Sequence, residues 1–214
     1  EPAGPSRGWF QPMTVRRRIL IASEIAWSSQ GETAKPEKRR LINGVDVAID
    51  ASAERTEELL DLDLVFAGWG IDAPLSGQDD YAGLEASGRA VVLLEGAPAH
   101  LPPAVRAHYS WIEQKERMAA ARGAVAVLTV KSPARERVSP WDRTRIHRPL
   151  PAVSWFGERP PGEPRPTAAT LTLGPEFARR LFSRAGRDID AIFRESETGS
   201  PRGFPLPGRI QIAR

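Results

Sequence analysis

The sequence predicts a mixed α/β (α+β) domain with a partly wrapped sheet. Three observations predict it. Many short apolar runs, alternating or continuous, read as strands. Two of them, Ala90–Leu94 and Ala124–Val130, flank one helical segment. That strand–helix–strand unit is long enough for a crossover, so its two strands are expected side by side and parallel. The other helical signals sit at the periphery, close to the C-terminus.

The elements follow in order. Residues 1–14 read as a flexible N-terminal tail with Pro and Gly punctuation. Val15–Ala22 reads as a strand, and Trp27–Lys38, polar with Gly31 and Pro36, as a loop. Arg40–Asp50 alternates, with Leu41, Val45, Val47 and Ile49 set against polar neighbours. The Asn43–Gly44 pair inside it signals a tight hairpin or a bulged strand. Asp61–Ala67 is a further strand, followed by Gly68 and Gly70 around Trp69, where positive φ or a close backbone approach is expected. Asp72–Gly88 is rich in turn residues, and Ala90–Leu94, bounded by Gly88 and Gly96, reads as a buried central strand.

Pro98–Pro103 is expected as loop, and Trp111–Arg122 as a helix stopped by Gly123. Ala124–Val130 is the second buried strand. Ser132–Pro149, with its Arg and Pro residues, is expected as a long loop, Leu150–Trp155 as a short strand, and Glu158–Pro166 as irregular. Thr167–Leu173 alternates as a strand. Pro175–Ala185 is a helix stopped by Gly186, and Asp188–Glu197 a second one capped by Asp188. Gly199–Gly208 reads as a linker and Ile210–Ala213 as a last strand.

Composition excludes several classes. Hydrophobic residues make up 41%, enough for a packed core. Thirty basic residues against 27 acidic ones give a net charge of only +3. The basic runs, Arg16–Arg18 and Lys38–Arg40, are short, so no nucleic-acid partner is expected. There is no cysteine, which rules out disulfides, thiolate metal sites and cysteine nucleophiles. No apolar run is long enough to span a bilayer, so no membrane insertion is expected, and residues 1–5 do not read as a signal peptide.

The candidate chemistries are thin. Of the three histidines, His100, His108 and His147, none opens a His-x-Asp or His-Glu-x-x-His pattern, so each reads as a surface residue. No Gly-x-Ser-x-Gly elbow and no phosphate loop occur. Asp72, Asp79, Asp80 and Glu85 offer oxygen ligands for calcium, but without EF-hand spacing they read as turn caps. Trp27, Trp111, Trp141 and Trp155 are either core residues or the lining of a groove, with core the default.

An ordered set of short motifs carries a resemblance. Val65-Phe66-Ala67-Gly68-Trp69-Gly70-Ile71-Asp72-Ala73-Pro74, then Asp79-Asp80-Tyr81-Ala82-Gly83-Leu84, then Gly88-Arg89-Ala90-Val91-Val92, come in succession. Lys115, Ala119, Gly123 and Ala124 follow at Lys-x₃-Ala-x₃-Gly-Ala spacing, then Pro149-Leu150-Pro151-Ala152, Gly174–Asp190 and Pro205-Leu206-Pro207-Gly208. This series resembles the protease-associated (PA) domain of M28-type zinc aminopeptidases over roughly Asp61–Arg214. Trp69 stands where that family usually has Tyr, and Arg89 where it usually has Lys.

The resemblance implies a partly wrapped β-sandwich or open barrel over residues 15–198, with residues 199–214 leading toward a catalytic domain that this chain lacks. It implies a non-catalytic accessory module that shapes substrate access or holds peptide or protein contacts. The expected partners are the parent catalytic domain and peptide substrate. Zinc is expected only in the missing catalytic domain, with no catalytic, metal or cofactor residue in this chain. The resemblance further implies secretion or a periplasmic location in a bacterium. Gly68, Gly70, Asp79, Asp80, Tyr81, Gly83, Gly88, Lys115 and Gly123 are expected to hold the fold. Trp141, Asp142, Arg143 and Arg145 are the candidate contact residues for substrate or partner. The rival reading is a stand-alone hydrolase with an unrecognised active site.

Overall fold

The computed structural model describes residues 14–29, 35–51, 57, 59–155 and 167–214. Residues 1–13 of the expected tail and the whole irregular Glu158–Pro166 stretch lie outside the described residues. Along the chain come β1 (Val15–Arg18), β2 (Glu24–Ser29), β3 (Glu37–Leu41), β4 (Val47–Ile49), β5 (Leu59–Phe66), β6 (Asp72–Ala73), β7 (Gln78–Asp79) and β8 (Ala90–Leu94). Then follow α1 (Pro103–Tyr109), α2 (Ile112–Ala121), β9 (Ala126–Val130), α3 (Pro133–Val138), α4 (Trp141–His147), β10 (Ala152–Trp155) and β11 (Ala169–Leu173). The last elements are α5 (Pro175–Arg184), α6 (Ile189–Thr198) and β12 (Phe204–Ala213).

Eight strands form one mixed sheet in the order β3-β2-β12-β5-β8-β9-β11-β4. Its middle, β5-β8-β9-β11, is parallel, as the crossover argument requires. β12, β2, β3 and β4 are antiparallel additions at the two flanks. The two edge strands, β3 and β4, are consecutive in sequence and joined only by residues 42–46. A connection that short forces the edges together and curls the sheet into a nearly closed barrel. Asp46 fastens the seam: its carboxylate accepts from Arg39 at 2.6 Å and from the Ile42 N–H at 2.9 Å.

Strand periodicity sorts the core into two sides. Ala90, Val92, Leu94, Ala126, Leu128, Val130, Leu171 and Leu173 face the concave side with Ile25, Trp27, Phe66 and Ile210. Helices α5 and α6 fill that side with Phe177, Leu181, Phe182, Ile192 and Phe193. Phe182 stands edge-on to Phe66 at 5.1 Å, and Phe177 edge-on to Trp27 at 5.8 Å. Each fully buried aromatic of this kind contributes ~2–3 kcal/mol by area. Val65, Val91, Leu93 and Val127 face the other side, covered by Ala119 of α2 and by Tyr81.

Several sequence expectations need correction. Trp27 lies inside β2, where Ile25, Trp27 and Ser29 are buried in alternation, and Glu37 and Lys38 lie in β3, so both ends of the expected loop are strand. Two serines and the nearby Gly31 and Pro36 obscure that period. The Asn43–Gly44 turn exists, with Gly44 at φ 83°, but it makes no hairpin: β3 and β4 do not pair as ladder partners and instead form opposite edges. The first strand ends at Arg18 and pairs only with β10, leaving Ile19 and Ile21 exposed.

The expected loops over Pro98–Pro103 and Ser132–Pro149 lead into or contain helices. Pro103 and Pro133 occupy first-turn positions of α1 and α3, where the missing N–H costs nothing. Ser132 Oγ caps α3 by accepting from the Arg135 N–H at 3.2 Å. The expected linker over Gly199–Gly208 is in part the start of β12, a ten-residue strand between β5 and β2. Pro205 and Pro207 are tolerated there because β2 pairs with β12 only from Arg209 onward. Between Leu206 and Arg209 the register to β5 shifts through a bulge, where Gly208 takes φ 86°.

Candidate functional site

Gly68, Gly70, Asp80, Tyr81 and Lys115 converge on one junction at the carboxyl ends of β5 and β8, while Gly88 and Gly123 meet at the other end, before β8 and β9, where the Gly88 N–H donates to Gly123 O at 2.9 Å. The chain leaves β5 at Phe66, turns through Gly68 at φ 54° and Gly70 at φ 67°, and stays tied to β8. The Leu94 N–H donates to Gly68 O at 2.8 Å, and the Ala67 N–H donates to Val92 O at 2.9 Å. A side chain on Gly68 has no room, since its Cβ would fall 2.6 Å from Pro201 O. Asp80 ties the following turn. Its backbone N–H donates to Ile71 O, and its carboxylate accepts from the Ile71 N–H, both at 2.9 Å. Asp80 also accepts from the Gln78 side chain, which donates in turn to Ser200 Oγ at 2.6 Å.

The segment before β12 closes this junction from above. Besides Ser200 and Pro201, Gly199 O accepts from the Trp69 indole N–H at 3.2 Å. Tyr81 is buried, and the Arg122 guanidinium lies over its ring at 5.6 Å. Asp79 caps the Tyr81 N–H at 3.0 Å. Gly83, Gly88 and Gly123 supply turns at positive φ, Gly123 ending α2. Lys115 on α2 is buried, donates from Nζ to Leu94 O at 2.7 Å, and lies 5.6 Å from the Trp69 ring centre. Of the nine residues expected to hold the fold, Gly68, Gly70, Asp79, Asp80, Tyr81, Gly83 and Lys115 lie in or next to this junction and its turns, and Gly88 and Gly123 sit at the other end of β8 and β9. Gln78, Ser200 and Gly199 complete the junction. Ser200 and Gly199 carry no signal in sequence, because the residues around them read as linker.

The junction has a distinctive electrostatic signature. Burial pulls Lys115 down to about 7, with Asp80 and Glu95 opposing it. Burial also pushes Asp80 up to about 6, against the Ile71 N–H, Gln78 and Lys115, which favour its charged form. Tyr81 is pushed well above its ordinary range by burial and by the Asp80 charge. The sign of the pH effect follows. Between about 7 and the ordinary 10.5, the unfolded chain holds the lysine proton that the folded chain has lost, so stability rises with pH. Between 3.8 and about 6, the folded chain holds an extra proton on Asp80, so stability falls as pH rises. The pair therefore gives a minimum between its two windows. Melting temperatures measured from about pH 7 to about pH 10 are expected to climb in the wild type and to climb less in Lys115→Met. Equal slopes in the two proteins would remove Lys115 as the source.

The candidate contact residues lie elsewhere, on α4 and not on a loop. Trp141 is half-buried, while Asp142, Arg143 and Arg145 are exposed, with Arg145 donating to Asp142 at 2.8 Å. Helices α3 and α4 lie over the side of the sheet that carries Thr129 and Thr172, whose hydroxyls are 2.9 Å apart. Glu95, after β8, accepts from Thr129 at 3.1 Å and pairs with Lys131 and Arg135 at 3.3 Å each. Arg148 at the end of α4 pairs with Asp50, whose carboxyl is raised by burial against the pull of that arginine. Between these groups runs a polar cleft of about 560 Å³, into which Arg143, Arg135 and His147 face. A second, smaller cavity of about 220 Å³ lies on the far side of Trp141 and is mainly apolar. Of the four candidate residues, Trp141 and Arg143 line cavities, while Asp142 and Arg145 pair with each other.

Other candidates disperse. Trp27 is in the barrel core, Trp111 is exposed, and the side chain of Trp155 lies outside the described residues. Asp72 pairs with Arg122 at 2.7 Å, Asp80 turns inward, and Glu85 caps the Ser87 N–H. His100, His108 and His147 are exposed. Among the described residues, no three His, Asp or Glu side chains group to hold a metal ion. No helix among them is long and apolar enough to cross a membrane.

The architecture defines a mixed α+β domain, a nearly closed eight-stranded sheet with helices packed on both sides. No family model and no curated protein matches the sequence. Among solved structures, the fold is similar to part of an aminopeptidase from Aneurinibacillus sp. strain AM-1, with 12% identity and a TM-score of 0.41. That alignment covers 94% of this chain and 32% of the other, so this chain spans about a third of that protein's length.

Proposed function

We propose that this chain is a non-catalytic accessory domain of protease-associated type, belonging to an M28-type zinc aminopeptidase that is secreted or periplasmic. The observation that carries the reading is the junction. Gly68, Gly70, Asp80, Tyr81 and Lys115, far apart in the motif series, pack at one buried junction, in line with the fold-holding role that the resemblance implies for them. The topology supports it too. β2 and β12 are antiparallel neighbours with Glu24 opposite Ala213, so the chain enters and leaves the barrel side by side. A domain set into a host chain needs that geometry.

In this role the α4 surface faces peptide substrate or the catalytic domain, and zinc belongs to the latter. The test is metal content and turnover of the purified chain with aminoacyl chromogenic substrates and added Zn²⁺. Neither stoichiometric zinc nor turnover is expected. Turnover abolished by a single substitution would establish the rival reading, a stand-alone hydrolase. In the full-length enzyme, Trp141→Ala and Arg143→Ala are expected to raise KM for peptides several-fold with little change in kcat. Unchanged KM would remove α4 from substrate contact.

A further inference from the structure

The polar cleft beside α4 carries a charge that its own residues do not balance. Lys131, Arg135, Arg143 and Arg148 line it, against the carboxylates of Asp50 and Glu95. Four cations facing two anions leave an excess of two positive charges around a space of about 560 Å³. A cleft lined by one sign of charge concentrates the field and draws in the opposite charge. The volume is that of a site for a short peptide segment rather than for one side chain or one ion.

The hydrogen-bond donors are spent unevenly. Lys131 is used up: its ammonium donates to Ser139 O at 2.8 Å and Ser139 Oγ at 3.1 Å, and pairs with Glu95 at 3.3 Å. A guanidinium holds several N–H donors in a fixed fork that matches a carboxylate. Among the described residues, Arg135 commits only Nε, to Glu95 at 3.3 Å, and Arg148 commits only Nη1, to Asp50. Arg143 has no hydrogen bond or ion pair among them. The two internal pairs also hold Arg135 and Arg148 apart. The Asp50 N–H donates to Thr170 O near the start of β11, whereas the Glu95 N–H donates to Val130 O at the end of β9. Thr172 stands level with Thr129, so Glu95 lies ~10 Å farther along the strands at their usual rise. β9 and β11 run between the strands that Asp50 and Glu95 follow. A phosphate ion or one terminal carboxylate can therefore engage one end of the cleft, and an extended segment with two acids can engage both.

We propose that this cleft binds an extended peptide segment carrying two acidic side chains about four residues apart, one taken by Arg135 and the other by Arg143 and Arg148. The cleft gives the α4 surface a ligand class, and it rests on the accessory reading only for where the acidic segment comes from.

Amide NMR spectra of the 214-residue chain, titrated with short peptides at low ionic strength, test this directly. Acetyl-Glu-Ala-Ala-Ala-Glu-amide, whose acids stand ~13 Å apart when extended, is expected to give saturable shifts at Glu95, Arg135, Arg143, His147 and Arg148. Glutamine in place of both acids is expected to abolish them, and in place of either one to weaken binding about tenfold. Binding of the two-acid peptide is expected to fall several-fold between about 20 mM and about 150 mM NaCl. Arg143→Gln is expected to weaken it about tenfold, while Lys38→Gln, which removes the same charge from an exposed position of β3, leaves it unchanged. Inorganic phosphate, and acetyl-Gln-Ala-Ala-Ala-Gln with a free C-terminal carboxylate, are expected to bind no better than the one-acid peptides. The proposal is overturned by the absence of saturable shifts at these residues, or by equal binding of one-acid and two-acid peptides. Phosphate or the free-acid peptide binding as tightly as the two-acid peptide, or equal effects of Lys38→Gln and Arg143→Gln, would also overturn it. The ligand series uses the unaltered protein, so it decides the matter should Arg143→Gln fold poorly. Failure leaves the accessory reading intact, while zinc-dependent turnover by the chain would end the accessory reading without touching the cleft.

Discussion

Gly208→Ala is expected to be among the most destabilising single-methyl changes in this domain. Gly208 sits in the bulge of β12 at φ 86°, a region that L side chains rarely occupy. An added Cβ would fall 2.1 Å from Ser28 O and 2.9 Å from Ser28 C, in the neighbouring strand β2. The atoms it meets are backbone, so no rotamer change relieves the clash. Relief requires β12 to part from β2, and β12 is the strand through which β2 and β3 join the rest of the sheet. Left-handed strain costs ~1–2 kcal/mol. Overpacking adds ~1–3 kcal/mol or more. A loss of roughly 4 kcal/mol is a large share of a typical stability of about 5–15 kcal/mol. Gly44→Ala is the matched control. It has a similar φ of 83° but nothing within 4 Å of its added Cβ, so only the strain of about 1 kcal/mol is expected. Urea denaturation of both variants separates the two costs. Equal losses would mean that β2 and β12 yield freely at the bulge.

Asp80→Ala is expected to cost roughly 2–5 kcal/mol, because it strands two buried donors at about 1–3 kcal/mol each. The change leaves the Ile71 N–H and the Gln78 amide without their acceptor, and Lys115 without its counter-charge. Burial already disfavours the Lys115 ammonium, so loss of Asp80 is expected to lower its proton affinity further. Lys115→Met alone removes the donor to Leu94 O but keeps an unbranched chain in the same space, and is expected to cost less. In the double variant no buried charge is stranded, so its loss is expected to fall short of the sum of the single losses. A double-mutant cycle by urea denaturation measures that difference. Strict additivity would mean that Asp80 and Lys115 do not sense each other, and would take away the electrostatic core proposed for the junction.

Much of the site was legible in sequence because it is built from locally constrained groups. Gly68, Gly70 and Gly123 adopt the positive φ that their positions after a strand or helix suggested. Asp79 and Asp80 cap turns, as short acids between strands do. The spacing that carries the resemblance singles out Lys115, but its burial has no signal in sequence, since a lysine on a short helix is ordinarily solvated. The candidate contact residues stand on a helix where a loop is expected, because Pro133 and Pro140, at or just before a first helical position, start helices there.

By itself the sequence determined what local sterics and side-chain period control. Continuous apolar runs became the buried parallel strands β8 and β9, the crossover set them side by side, and glycines ended α2 and α5. Tertiary structure decided which strands are neighbours. It put β3 and β4 at opposite edges despite the turn between them, and drew the proline-bearing β12 into the sheet next to β5. It also left the apolar cavity beside Trp141 at the ends of β9 and β11. The physical reason is that a residue's own φ preference and burial period act over a few neighbours. Strand pairing and cavity walls are set by hydrogen bonds and packing between residues far apart in the chain, whose partners no local pattern specifies.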